Sequence, residues 1–212
     1  VVEIDNLKIV NEQEIFTNNK SNELEFGKLQ NFLDENIFKL EKTLNYFIKD
    51  IIIILDTDDF FPINLSVKNN NGGNLLTLKN LSFSLNDAKY QCKKTMEQKR
   101  IIHTLIENYY IDNKNYLSLP KNLKCTNFSL DIKFICLQNE LIKNLEKCLQ
   151  NYQISISQIL SAKYIESFFN DNRDIFLKAR QITLGCNPNE VKFYNKTPKN
   201  EGFFERFFNF FS

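Results

Sequence analysis

The sequence predicts a mixed α/β (α+β) protein. Three observations carry that reading. Apolar residues recur at helical spacing in several stretches. Others alternate at period two or run as short apolar blocks. The two kinds of segment alternate along the chain, which argues an α/β or α+β arrangement.

The chain begins with "VVEIDNLKIV", a strand or hairpin with a turn at Asp5-Asn6. In "FGKLQNFLDENIFKLEKTLNYFIKD", Phe26, Leu29, Leu33, Ile37, Leu40, Leu44 and Phe47 share one side of a long amphipathic helix. "IIIILD" follows as a central strand, apolar on both faces. "INLSVKNNNGGNLLTLKN" reads as strand, Asn/Gly turn and strand.

"SLNDAKYQCKKTMEQ" is a helix with Ser84 or Asn86 as its N-cap. "KRIIHTLIENYYIDNKNY" is a strand that turns at Asp112-Asn113, and "LSLPKNLKCTN" is a loop broken by Pro120. In "FSLDIKFICL", Phe128, Leu130, Ile132, Phe134 and Cys136 define a strand with one buried face. "NELIKNLEKCLQNY" is a helix with Leu141, Ile142, Leu145, Cys148 and Leu149 inward. "ISISQIL" is a strand and "AKYIESFF" opens a helix. "DIFLKARQITLG" reads as one more helix, "NEVKFYN" as one more strand, and "NKTPKNEG" as a polar linker.

Composition narrows the function. The 212 residues carry 27 Lys+Arg against 26 Asp+Glu, a net charge of +1, with no Lys/Arg stripe, so nucleic acid is not an expected partner. Asn, Lys, Ile and Phe are enriched, in the manner of a codon-composition bias. The five cysteines contain no CxxC pair and read as free thiols of a reducing cytoplasm. No signal peptide is evident, and no apolar run approaches the roughly 20 residues that span a bilayer. The first residue is Val rather than Met, which leaves room for an upstream segment.

One stretch looks catalytic. "IIIILDTDDFF" is an apolar strand ending in Asp56-x-Asp58, the pattern of the nucleophile and acid/base carboxylates of haloacid-dehalogenase-type phosphatases, which act with Mg²⁺. The fourth position after the nucleophile is Phe60, and no downstream Lys stands out between a strand and a helix. Asp171 and Asp174 are only loosely spaced like that family's metal pair. The reading is therefore of acidic residues solvating a strand end, with no catalytic residue, metal or cofactor assigned. An EF-hand fails as well, because Phe61 and Val67 stand where Gly and Glu are required. His103 is the single histidine, which reads as structural and leaves no zinc set.

The segment "GFFERFFNFF" is the strongest functional signal. On a helix, Phe203, Phe204, Phe207, Phe208, Phe210 and Phe211 gather on one side, opposite Glu205, Arg206 and Asn209. At roughly 15 Å it is too short to span a bilayer. It suits the interface of a membrane, with Arg206 toward anionic phosphates. The alternative is a terminal helix docked on the protein's own core or in a partner's groove.

The middle of the chain resembles the subdomain inserted in FtsA, the actin-like bacterial cell-division protein. The order helix "SLNDAKYQCKKTM", strand "RIIHTLIENYYID", strand "FSLDIKFICL", helix "NLEKCLQNYQ" and then "ISISQILSAKYIESF" carries the resemblance, together with "IIH" and "YYIDNK". An amphipathic membrane helix after a linker is also a trait of that family. The resemblance implies a partial actin-like (ribonuclease H-like) half at 1–83 and the inserted subdomain at 84–162. A remnant helix and strand follow at 163–194, a linker at 195–202 and the membrane helix at 203–212. The family's Asp-x-Gly-Thr phosphate loop and Gly-Gly adenosine motif are not in this chain, so ATP is expected only through an upstream segment.

What the resemblance implies is a non-catalytic divisome adaptor. It would sit peripherally on the cytoplasmic face of the bacterial inner membrane, self-associate, and tether division proteins such as FtsZ. The alternatives are a PilM-like actin-fold protein of pilus or secretion assembly and a small Mg²⁺-dependent phosphatase using Asp56 and Asp58.

Overall fold

The computed structural model describes residues 26–169 and 171–193, and the backbone of 2–3 and 8–9. The described residues form a mixed α/β structure of the α+β class, with an antiparallel sheet, a parallel strand pair and five helices. A short antiparallel pair, β1 (Val2–Glu3) and β2 (Lys8–Ile9), stands at the beginning, as the sequence predicts.

The organising element is β7 (Asn127–Gln138). It pairs antiparallel with β4 (Phe61–Asn70) on one side and with β5 (Lys99–Ile111) on the other. The short β6 (Lys114–Tyr116) returns along β5. The turn between them places Asp112 at φ 43° and Asn113 at φ 67°, the left-handed pair that a two-residue hairpin demands. Sheet order is β4-β7-β5-β6.

The burial pattern of β7 shows where the layers lie. Phe128, Leu130, Ile132, Phe134 and Cys136 are all buried on one face. They pack with Leu81, Leu85, Ala88 and Cys92 of helix α2 (Leu78–Thr95). The opposite face is half-exposed at Ser129, Asp131 and Lys133, then closes at Ile135 and Leu137. Alternation becomes continuous burial there because a second layer begins.

That layer is built on β3 (Asp50–Leu55) and β8 (Ser155–Ser161), paired in parallel with a bulge between Ile51 and Ile52. Ile52 and Ile54 pack toward α4 (Ala162–Phe168) and α5 (Ile175–Thr183). Ile51, Ile53 and Leu55 pack toward α1 (Phe26–Leu44) and α3 (Asn139–Gln150). Covering on both sides explains the unbroken apolar run. β3 is not central, however: among the described residues it pairs with β8 alone.

Three further expectations are corrected. Helix α2 begins at Leu78, upstream of the expected Ser84 or Asn86 cap, and takes up the residues read as a second strand. Thr77 caps it, accepting from the Asn80 amide, while the Asn80 side chain accepts from the Thr77 amide at 3.0 Å. This reciprocal box uses Asn at a position where Glu or Gln is the familiar signal. Leu75 keeps only an isolated bridge to Lys124. Helix α1 stops at Leu44, because Asn45 turns left-handed at φ 60° and leaves Phe47 exposed beyond the apolar stripe. The expected strand "NEVKFYN" reduces to a bridge of Glu190 with Leu105. A turn closed by Glu190 N–H to the Asn187 carbonyl at 3.1 Å brings the chain across β5, and Val191 N–H bonds Thr104 O at 2.8 Å.

Candidate functional site

Parallel pairing of β3 and β8 brings their C-terminal ends together. β3 runs into Asp56-Thr57-Asp58-Asp59. β8 runs into Ser161, whose side chain accepts from the Tyr164 amide and caps α4. Lys163 therefore leaves the first turn of α4 beside the acidic run, and its ammonium is ion-paired with Asp58. Hydrogen bonding to Asp58, aided by the charges of Asp58 and Asp56, holds that ammonium above its usual range despite some desolvation. An open cleft of about 460 Å³ lies here, lined by Ile54, Asp56, Lys163, Glu166 and Phe176 among others. Below it, Lys178 of α5 is buried with its ammonium 2.5 Å from Glu166.

A Lys between a strand and a helix is thus present, contrary to the sequence expectation. The signal was "SAKY", a Ser cap followed by Lys, and only the β3–β8 pairing connects it to Asp58. Asp171 and Asp174 do not join this cleft. Asp171 holds Arg173 at 2.6 Å, and Asp174 caps α5 by accepting from the Phe176 amide at 2.7 Å. Among the described residues no group of three or more His, Cys, Asp and Glu converges as a metal site.

His103 is fully buried on β5. Its Nε2 accepts the Ser161 amide at 3.1 Å, so Nδ1 carries the proton and donates it to Glu190 at 2.7 Å. Tyr164 donates to the other Glu190 oxygen at 3.1 Å and accepts from Asn187 at 2.9 Å. Burial, with the Glu190 charge beside it, pushes the Tyr164 phenol well up. A Glu-His pair can serve as a base, but a base needs a nitrogen within reach of substrate. Here Nε2 is occupied by backbone and no solvent reaches the ring. The cluster binds β5, β8 and the segment 187–190 together, the structural role the sequence suggests for this histidine.

Helix α2 presents the other candidate surface. Its inner face, Leu81, Ser84, Leu85, Ala88 and Cys92, is committed to the core. Phe83 and Tyr90 point outward, each 67 % exposed, two turns apart on one side. Lys79, Asn86 and Lys93 surround them, all exposed. Large apolar side chains grouped on an exposed helical face mark interaction surfaces, and aromatic residues supply much of the affinity where partners meet. The sequence reading missed this face because it started the helix at Ser84 or Asn86, which leaves Phe83 outside it.

The proposed membrane contacts Phe203, Phe204, Arg206, Phe207, Phe208, Phe210 and Phe211 lie outside the described residues. Among the described residues no helix is long and apolar enough to cross a membrane. No protein-family model matches the chain, and no curated protein matches it.

Proposed function

We propose that this chain is a non-catalytic assembly adaptor, and the outward aromatic face of α2 is the observation that carries this reading. A helix that seals the core with one side and offers Phe83 and Tyr90 on the other suits a module that joins partners. The order helix, strand, strand, helix, strand–helix, on which the likeness to FtsA rests, corresponds to α2, β5, β7, α3 and β8–α4. That correspondence supports a reduced FtsA-like divisome protein, with a partial actin-like half and an inserted subdomain. The Phe-rich segment 203–211 supplies a peripheral foot on the cytoplasmic face of the inner membrane. Many weak feet on an assembled array make a firm anchor.

The test is flotation of the full chain, and of a version ending at Asn200, with anionic lipid vesicles and FtsZ filaments. Full-chain flotation that brings FtsZ along supports the adaptor. Flotation without FtsZ removes that partner, and no flotation of either version removes the foot. Phe207→Asp is expected to abolish flotation with no change in melting temperature.

A second reading is favoured by the Asp58–Lys163 pair at the mouth of the Asp56 cleft. Ligands of α/β sheets commonly bind beyond the carboxyl ends of parallel strands. A Mg²⁺-dependent phosphatase would attack phosphorus with Asp56 and use Asp58 as acid/base, Lys163 helping to hold the phosphate. Hydrolysis of a generic aryl phosphate that is lost in Asp56→Asn would establish it. No turnover, or turnover unchanged in that variant, would exclude it.

A further inference from the structure

Helix α2 carries Lys79, Lys89, Lys93 and Lys94 against Asp87 alone, an excess of three positive charges in a chain whose net charge is +1. Burial decides which of its residues face outward. Leu81, Leu85, Ala88 and Cys92 lie in the core against the sheet. Lys89 turns aside to Phe193, its ammonium 3.8 Å from the ring centre. Lys79, Phe83, Asn86, Tyr90 and Lys93, all exposed, run along the outer side. Their spacing is four, three, four, three. This is the seam with which one helix meets another, because a repeat of about 3.5 residues keeps the row turned toward a partner's axis.

The seam is apolar at Phe83 and Tyr90, about 10.5 Å apart along the axis, polar at Asn86 between them and cationic at both ends. Each position restricts the occupant. Pairing with the same seam of a second copy sets lysine against lysine at both ends, whether the helices run parallel or antiparallel, so charge rejects that occupant. Asp87 and Lys94, both exposed, border the seam on one side. An anionic lipid surface suits the lysines but brings Asp87, whose carboxylate accepts from Gln91 at 2.9 Å, toward like charge. A partner helix has room to treat each position separately. Apolar residues opposite Phe83 and Tyr90, a side-chain amide opposite Asn86 and carboxylates opposite Lys79 and Lys93 meet the whole row, and a polar residue within such a seam fixes its register.

We infer that the outer face of α2 takes an acidic amphipathic helix of another protein, lying along the seam with its carboxylates against Lys79 and Lys93. The inference rests on the reading above of this face as the partner surface and names the chemistry of that partner.

The probe is a fluorescent synthetic helix of about three heptads, with leucine opposite Phe83 and Tyr90, asparagine opposite Asn86 and glutamate opposite Lys79 and Lys93. A matched peptide carries lysine in place of those glutamates. Binding to the full chain at low salt is read by fluorescence anisotropy. The glutamate peptide should bind at least about tenfold more tightly than the lysine peptide. Lys79→Glu combined with Lys93→Glu should reverse that order, a gain of binding that misfolding does not produce. Phe83→Ser combined with Tyr90→Ser should weaken the glutamate peptide at least about tenfold. No binding of either peptide overturns the inference. Equal binding of the two, lost in the aromatic double variant, overturns the inference and leaves α2 a partner surface. Binding unchanged in the aromatic double variant removes α2 as the surface altogether. In parallel, flotation of the full chain with phosphatidylglycerol vesicles should not change when the two lysines are replaced. Its loss would make this face a lipid contact and overturn the inference.

Discussion

His103 and Glu190 are 87 residues apart in the chain and 2.7 Å apart in the fold. The histidine leaves β5 and the carboxylate comes from a segment that touches β5 at a single bridge. Through Ser161, Tyr164 and Asn187 the pair joins β5, β8, α4 and the segment 187–190. Removing one partner leaves the other buried without its hydrogen bond. Glu190→Ala should therefore lower stability by about 2–4 kcal/mol in urea unfolding. A loss under about 0.5 kcal/mol would mean the segment 187–190 is not tied down through this pair.

Lys178 and Glu166 form an asymmetric pair, the lysine side chain 3 % exposed and the glutamate 50 %. Glu166→Gln strands a buried ammonium and should cost about 1–3 kcal/mol, less than a fully buried pair because water reaches one side. Lys178→Met removes the charge and keeps the volume, so it should be near neutral or stabilising. Equal losses in the two variants would contradict this account of the site.

The two faces of α2 should respond in opposite ways. Leu85→Ala, on the core side, should cost about 2–5 kcal/mol by opening a cavity against β7. Phe83→Ser and Tyr90→Ser, on the outer side, should change stability by no more than about 0.5 kcal/mol. If either outer variant unfolds the chain early, the aromatic face is structural and not a docking surface. Thermal melts of the three variants decide this.

The cap of the same helix is a separate test. Thr77 accepts from Asn80 N–H and its own amide is held by the Asn80 side chain. Thr77→Ala should cost about 1 kcal/mol, and Thr77→Ser should recover most of it. No difference between the two would place the start of α2 elsewhere.

Alkaline pH should destabilise the fold. Burial, with Cys92 beside it, pushes the Cys136 thiol up to about 12 from an ordinary 9.0. The folded chain keeps a proton there that the unfolded chain releases above about pH 9. This contribution is complete below pH 9 and is lost as pH rises toward 12. Tyr164, raised in the same direction, adds to the loss above about pH 10. Melting temperatures should fall between pH 8 and pH 10.5, and Cys136→Ala should flatten that fall. An unchanged slope would show that Cys136 is not the source.

Local chemistry was legible from the sequence alone. The alternation of Phe128 to Cys136 specified both the strand and its inner face, because side chains of a strand point to opposite sides in turn. Ile142, Leu145 and Leu149 specified the inner face of α3 by helical period, and Asp112-Asn113 specified the hairpin because few residues tolerate two left-handed positions in a row. Errors fell where a local signal was ambiguous, as at Thr77-x-x-Asn80 and at the end of α1. What only the tertiary structure decided was which distant segments meet. The pairing of β4 with β7, the alignment of β3 with β8 that brings Lys163 to Asp58, and the seat of Glu190 against His103 all join residues far apart in the chain. No period or spacing encodes them. They are chosen collectively, by which arrangement buries the apolar faces while leaving each buried polar group a partner.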